Sequence, residues 1–338
     1  MSVKSSNITA TDLDFDDIVS NLKTYLKGQE KFKDYDFEGA NLGVLIDLLA
    51  YTSHVSGINT NIAASELFLD SAQIRKNVVS RAKDLGFTPA SEKASTAIVD
   101  LRMTNVQNAD QTIPTENDMI CPRGQNFTTV YDGVSYNFVC SDSVVPQRSN
   151  QTFNWTGVNL VQGQYNTDSY IFDTQIKNSK FVLSNARVDK STIEVQVDSN
   201  GTLTKYALST EVSTISSSSK VFYAQENEEG FIEIYFGDGV LGQGLLDGDV
   251  ISITYVIVDE FHVDGASLFS MSEAINGFNI VEITSTSASA GGAEKESIES
   301  IKFKATKFYT SQNRLVTLND YKAKVSEYYP NADAVAVW

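Results

Sequence analysis

The spacing of apolar residues changes once along the chain, and that change governs what it can fold into. Up to about residue 90 they recur every three or four positions, the period of a helix. From about Ser95 they alternate, the period of a strand. An α+β chain is predicted, with an N-terminal helical arm at 1–90 and a central antiparallel-rich β domain at 91–283. Residues 284–338 read as a linker and a C-terminal α/β segment that is incomplete.

In the arm, Asp12, Asp14, Asp16 and Asp17 stand at a helix start, where carboxylates complement exposed N–H groups. Phe15, Ile18, Leu22 and Tyr25–Leu26 give one stripe, and Gly28 ends the helix. A second helix begins near Asn41 with Leu42, Leu45, Ile46 and Leu49 on one face. Small and polar residues follow (Thr52, Ser53, Ser56, Gly57), and Ile62, Ala63 and Leu67 then resume the pattern. Such a helix can approach another closely. A third carries Ile74, Val78, Ala82 and Leu85, closed by Gly86 with Pro89 beyond. The three helices either pack on one another around a thin core or form an arm that partner chains complete.

In the β region Ala97, Val99, Leu101 and Met103 alternate with Ile98, Asp100 and Arg102. Asp132-Gly133 and Asn200-Gly201 each sit between β-prone runs and predict type I′ hairpins. Two further strand-like runs, 231–236 and 250–258, are joined by Gly and Asp. The stretch TSTSASAGGA (284–293) is small and polar, and reads as a linker or long loop. Helical spacing returns at Ile298, Ile301, Ala305 and Phe308, and again at Leu318, Tyr321, Val325 and Tyr328. Thr317 and Asp320 stand as a capping box before the last helix. ADAVAVW reads as a strand just beginning, so more chain is expected to follow.

Composition excludes several functions. The 338 residues include 43 acidic and 26 basic side chains, a net charge of −17, which repels phosphate and argues against a general nucleic-acid binder. With 41% apolar and 20% charged residues, the chain can bury a core and is not disordered. No apolar run is long enough to cross a membrane, and the N-terminus lacks a secretory h-region. The two cysteines, Cys121 and Cys140, are too few for a disulfide framework and are expected to stay unbridged. They flank the Asp132-Gly133 turn unevenly, so a symmetrical register would not set them opposite each other.

Candidate chemistry fails in context. Gly237-Asp238-Gly239-Val240-Leu241-Gly242 fits G-x-G-x-x-G and follows a strand, but GQGLLDGD cannot open the helix that a dinucleotide's pyrophosphate needs. Asp12, Asp14 and Asp16 mimic an EF-hand start, yet Asp17 and Lys23 occupy the positions of the required Gly and Glu. His54 and His262 are the only histidines, and no nucleophile elbow or zinc motif accompanies them. No catalytic, cofactor-binding or metal-binding residue is assigned. The stretch 294–324 is locally basic, seven Lys/Arg against four acids, and reads as a solvated helix face ahead of the alternative, a face toward an acidic partner.

Three stretches in order resemble one family. LKGQEKFKDYDFEGANLGVLIDLLAY (26–51), Ile120-Cys121-Pro122-Arg123-Gly124 with YFGDGVLGQGLLDGD (235–249), and GGAEKESIESIKF with NRLVTLNDYKAKV and YPNADAVAVW (291–338) are similar to the large baseplate wedge subunit of T-even-type contractile-tailed phages. That subunit lies within the broader baseplate-J-like family.

The resemblance covers nearly the whole chain and implies a structural protein, not an enzyme, without cofactors. It places the chain in a virion tail baseplate, assembled in the host cytoplasm. There it would form the inner ring around the central hub and transmit the change that triggers sheath contraction. Implied partners are a second copy of the chain, the hub, and other wedge proteins, including a small lysozyme-like subunit that links to the sheath. The bundling role falls on Phe15, Ile18, Leu22, Leu42, Leu45, Ile46 and Leu49. The family's members continue past the equivalent of Trp338, so this is either a shortened relative or the N-terminal portion of one; that leaves ring closure through a C-terminal domain open and the bundle role unaffected. A competing expectation is a β-rich receptor-binding or adhesion protein of a virion. The helical first ninety residues and the lack of repeats weigh against it.

Overall fold

The computed structural model describes residues 14–32, 35–37, 42–176, 179–209, 215–227, 229–278, 282–311, 314–328 and 336. Asp12 and, apart from Ala336, the run ADAVAVW lie outside them. The protein is α+β, as its two periods require, and forms two units: Met1–Thr88 with Ser297–Trp338, and Pro89–Glu296. Residues 284–338 were expected as a third segment; the helix at 298–311 instead packs on one from the arm.

In the helical unit, α1 (Phe15–Lys27) is capped by Asp14, whose carboxylate accepts the Asp16 N–H at 2.9 Å. The Gly28 N–H closes it on the Thr24 carbonyl. α2 (Leu42–Glu66) runs 25 residues, unbroken at Gly57. It packs on α1, with the Phe15 ring edge-on to His54 at 6.3 Å between centroids. α3 (Arg75–Asp84) ends as its glycine predicts. Gly86 takes φ 81°, its N–H reaches Lys83 and the Phe87 N–H reaches Ala82, satisfying carbonyls the helix leaves open. α4 (Ile298–Ser311) packs Ile301 and Ala305 against Val78, Val79 and Ala82 of α3. α5 (Leu318–Tyr328) opens on the predicted box: Asp320 accepts the Thr317 N–H at 2.8 Å and Thr317 Oγ1 accepts that of Asp320 at 3.2 Å.

The β unit holds two seven-stranded sheets. The first takes β1 (Thr96–Met103), β2 (Asn126–Tyr131), β3 (Val134–Cys140), β4 (Gln147–Ser149) and β5 (Thr152–Gln162). The second takes β6 (Gln164–Ile171), β7 (Phe181–Val182), β8 (Glu194–Ser199), β9 (Thr202–Leu208), β10 (Val221–Glu226), β11 (Ile232–Phe236) and β12 (Val250–Ile257). The first is completed by β13 (Ser270–Met271) and β14 (Glu282–Ala290). Its order is β13-β2-β3-β5-β1-β14, with β4 on β5; the second's is β6-β12-β8-β9-β10-β11-β7. The described pairings are antiparallel except β9 with β10.

β1 buries Ala97, Val99, Leu101 and Met103, as the alternation predicts. Both hairpin turns are formed: Asp132 and Gly133 take φ 49° and 80°, and Asn200 and Gly201 take 52° and 83°. One core surrounds Phe127, Phe138, Phe153 and Trp155; the other surrounds Ile234, Ile251, Ile253 and Tyr255. The chain passes between sheets at Gly163, φ 124°, where a Cβ would overlap the Ile257 carbonyl. Only glycine serves there. The second sheet curls until its ends meet: Tyr170 Oη donates to the Val182 carbonyl, and the Asp168 carboxylate accepts the Ser184 N–H at 2.9 Å.

Two expectations need correction. The stretch read as a linker at 284–293 is mostly β14, paired antiparallel with β1. Its Ser and Thr side chains lie on an edge strand, where apolar alternation is not needed. The two thiols, expected apart, are both buried in the first core, close enough to perturb each other's ionisation. Cys121 lies outside β2, in a loop that folds back so that Gly124 and Cys140 bond backbone to backbone. Hairpin register therefore does not govern their separation.

Candidate interaction surface

α2 is the element whose chemistry exceeds its packing. Twenty-five residues make a helix about 37 Å long. Only one side is covered. Ile46, Ala50 and Gly57, spaced by four and seven, are buried. On the other sides Val44 (70% exposed), Leu48 (57%), Tyr51 (60%) and Ile62 (50%) face solvent. A surface helix normally keeps its apolar residues to one stripe; a helix apolar all round belongs inside something.

The expected bundle residues divide accordingly. Phe15, Ile18 and Leu22 on α1, and Leu42 on α2, are half-buried. Ile46 is buried, whereas Leu45 and Leu49 are exposed. The one predicted face is therefore two faces. Sequence reasoning passed over Val44, Leu48, Tyr51 and Ile58, because a search for one stripe discards apolar residues lying off it.

It also missed the joint between α2 and α3. Ile74, at the α3 N-cap, has no capping side chain. Glu66 from the end of α2 takes that role: its carboxylate accepts from the Gln73 N–H at 2.8 Å and the Asn77 amide at 2.7 Å. Burial raises its pKa, but the Asn77 amide and the Gln73 and Ile74 N–H groups prevail and hold it below the ordinary value.

The remaining candidates resolve into structure. The 237–242 glycines form a folded-back loop in which the Asp238 carboxylate accepts the Val240 and Leu241 N–H groups at 2.9 and 3.0 Å. No helix follows it. His54 packs on Phe15, while both ring nitrogens of His262 are buried without a hydrogen-bond partner among the described residues. The histidines lie in different units. Among the described residues no group of three or more His, Cys, Asp or Glu could hold a metal, and no helix is long and apolar enough to cross a membrane. In the locally basic stretch, Lys302 is buried and donates to the Asp70 carbonyl at 3.1 Å.

Two segments match known families. Residues 14–87 match the helical domain of gp6-like baseplate wedge proteins, and residues 167–257 match the third domain of bacteriophage baseplate wedge protein gp6. The baseplate wedge protein gp6 of Enterobacteria phage T4 is 28% identical over 340 residues, covering 93% of this chain and 49% of that protein. Over both segments the chain resembles gp6-like baseplate wedge proteins. It spans about half the length of that relative. A chain of the anti-feeding prophage baseplate aligns over 96% of this chain and 66% of its own, at 13% identity and a TM-score of 0.34. The helical match spans α1 to α3, and the third-domain match spans β6 to β12, so the two arms of the architecture each carry the likeness.

Proposed function

We propose that this wedge subunit is a scaffold without catalytic activity, which acts through its helical arm. The carrying observation is α2, whose first turns (42–51) are apolar on several sides yet covered on one. In this reading Leu45 and Leu49 seat against helices of other chains, while Phe15, Ile18, Leu22, Leu42 and Ile46 hold α1 and α2 together. The added helices come from a second copy and from other wedge proteins, among them a small lysozyme-like sheath-linking subunit. The assembled wedges form the inner ring around the hub and pass on the change that starts sheath contraction. Likeness to a phage baseplate wedge protein supports this reading.

A helix face exposing this much apolar area gains about 25 cal/mol for each Å² it buries. Charge placed there would be buried without a partner. The test replaces Leu45 and Leu49 together by Asp and measures the mass of assemblies formed with the other wedge proteins of the same phage. The expected result is loss of assembly with an unchanged melting transition of the β unit. Normal assembly by the double variant would remove the arm from the mechanism.

A further inference from the structure

The second sheet ends in a feature that the arm's role does not use. At the end of its curl, Phe172, Phe181, Tyr235, Phe236 and Leu245 line a cavity of about 430 Å³. Ile176, 61% exposed, stands at its mouth. Close in sequence to its lining segments, Ile171 (73% exposed), Val240 (71%) and Leu246 (59%) also face water. Core side chains do not fill the cavity, because Phe181 is held edge-on to Phe236 at 5.8 Å and Tyr235 is stacked on Tyr223 at 5.1 Å. An aromatic-walled recess with an exposed aliphatic at its mouth is the form of an anchor-residue pocket at a protein interface.

Its surroundings select the anchor's neighbours. Asp173, Asp238 and Asp247 lie in or beside the lining segments, which in sequence also carry Lys177 and Lys180, and Lys180 is paired with Glu233 at 2.8 Å. The N–H groups of Leu241 and Val240 hold Asp238 below the usual carboxylate range, and the N–H and hydroxyl of Thr174 do the same for Asp247, so both stay charged near neutrality. The whole unit 89–296 carries 27 acidic against 11 basic residues, so the long-range field has the same sign.

We propose that this recess receives an aromatic side chain of a partner protein flanked by Lys or Arg. The ring enters between Phe181 and Tyr235, and the flanking cations meet the aspartates at the rim. This surface is distinct from the helical arm, and it stands whether or not the arm bundles.

The probe is the peptide acetyl-Lys-Phe-Lys-amide, titrated into the full-length protein carrying ¹³C-labelled Ile and Leu methyl groups. Expected are saturable shifts of the Ile176 and Leu245 methyls. Acetyl-Glu-Phe-Glu-amide and acetyl-Lys-Ala-Lys-amide should each bind at least tenfold more weakly. Ile176→Arg, at a position exposed enough to leave the fold alone, should weaken the Lys-Phe-Lys peptide at least tenfold with an unchanged melting temperature. The proposal is overturned if the peptide shifts neither methyl, if the Glu-flanked peptide binds equally well, or if Ile176→Arg leaves binding intact.

Discussion

The Glu66 carboxylate, last on α2, accepts the Asn77 amide of α3 at 2.7 Å, and so ties the long apolar helix to the one that packs on α4. The same carboxylate takes the Gln73 and Ile74 N–H groups, which α3 would otherwise leave open.

That arrangement makes the joint sensitive to acid. Glu66 is depressed below its ordinary 4.5, so the folded form favours the carboxylate. Its contribution is complete above 4.5 and is lost as pH falls through the lower native value. Glu66→Gln should cost about 1 kcal/mol at pH 7, the typical worth of a cap, and less as the pH is lowered from 4.5 to 3. Helix melting followed at 222 nm for both proteins at the two pH values checks this; an equal gap at both would assign the effect to packing.

Cys121 and Cys140 are free and fully buried. The Cys140 thiol and burial push Cys121 far above the usual thiol range, so it stays protonated and unreactive. An alkylating reagent should therefore label neither thiol in the folded protein and both after denaturation without reductant. Intact mass measures the count. No label after denaturation would mean a disulfide joins these neighbours.

Where local chemistry decides structure, the sequence was enough. Asp132-Gly133 could only turn as a type I′ pair, Gly86 ended α3, and β1 showed its buried face through plain alternation. What escaped depended on partners distant in sequence. β14 has no apolar pattern because it is an edge strand, held as a strand by β1 nearly 190 residues earlier. Glu66 looks like any helix-end acid until α3 folds back to it. Of the bundle residues, spacing gave the helix but not which side α1 would take, and so it joined Ile46 to Leu45 and Leu49.

Gly237 tests the Gly-rich loop. A Cβ there would overlap the Gly242 backbone, which has no flexible end to move aside. Gly237→Ala should lower stability by on the order of 1–3 kcal/mol, as overpacking does. Gly239, with nothing within 4 Å of its Cβ position but φ 86°, should lose less on replacement by Asn, which tolerates that conformation. Urea melts of the two variants should differ in that order; equal losses would show that strain at φ, not crowding, sets the need for glycine.

His262 holds two buried ring nitrogens without partners among the described residues, a cost of roughly 1–3 kcal/mol for each group left unsatisfied. Its ring packs near Gly292, where a Cβ would come within 2.6 Å of the His262 Cβ. An apolar side chain of similar reach removes the cost without the bulk of a larger ring. His262→Leu should leave the melting temperature unchanged or raise it by a few degrees. A clear drop would reveal a partner that the imidazole requires.

The last prediction separates the two faces of α2. Ile46 is 2% exposed and lies on the covered side, whereas Leu45 and Leu49 are 54% and 58% exposed. Removing buried methylenes forfeits transfer energy and leaves a cavity, so Ile46→Ala should cost about 2–5 kcal/mol in the isolated chain. Leu45→Ala and Leu49→Ala remove little buried area there, and surface changes of this kind stay within about 0.5 kcal/mol. Alanine is also the better helix former, which offsets part of the loss. In the assembled wedge the order should change: Leu45→Ala and Leu49→Ala should each weaken association, because their side chains then become core. Helical melting of the isolated chain, set beside the dissociation constant of the assembly, measures both. If Leu45→Ala and Leu49→Ala leave association untouched, the exposed face is not where the partner helices seat.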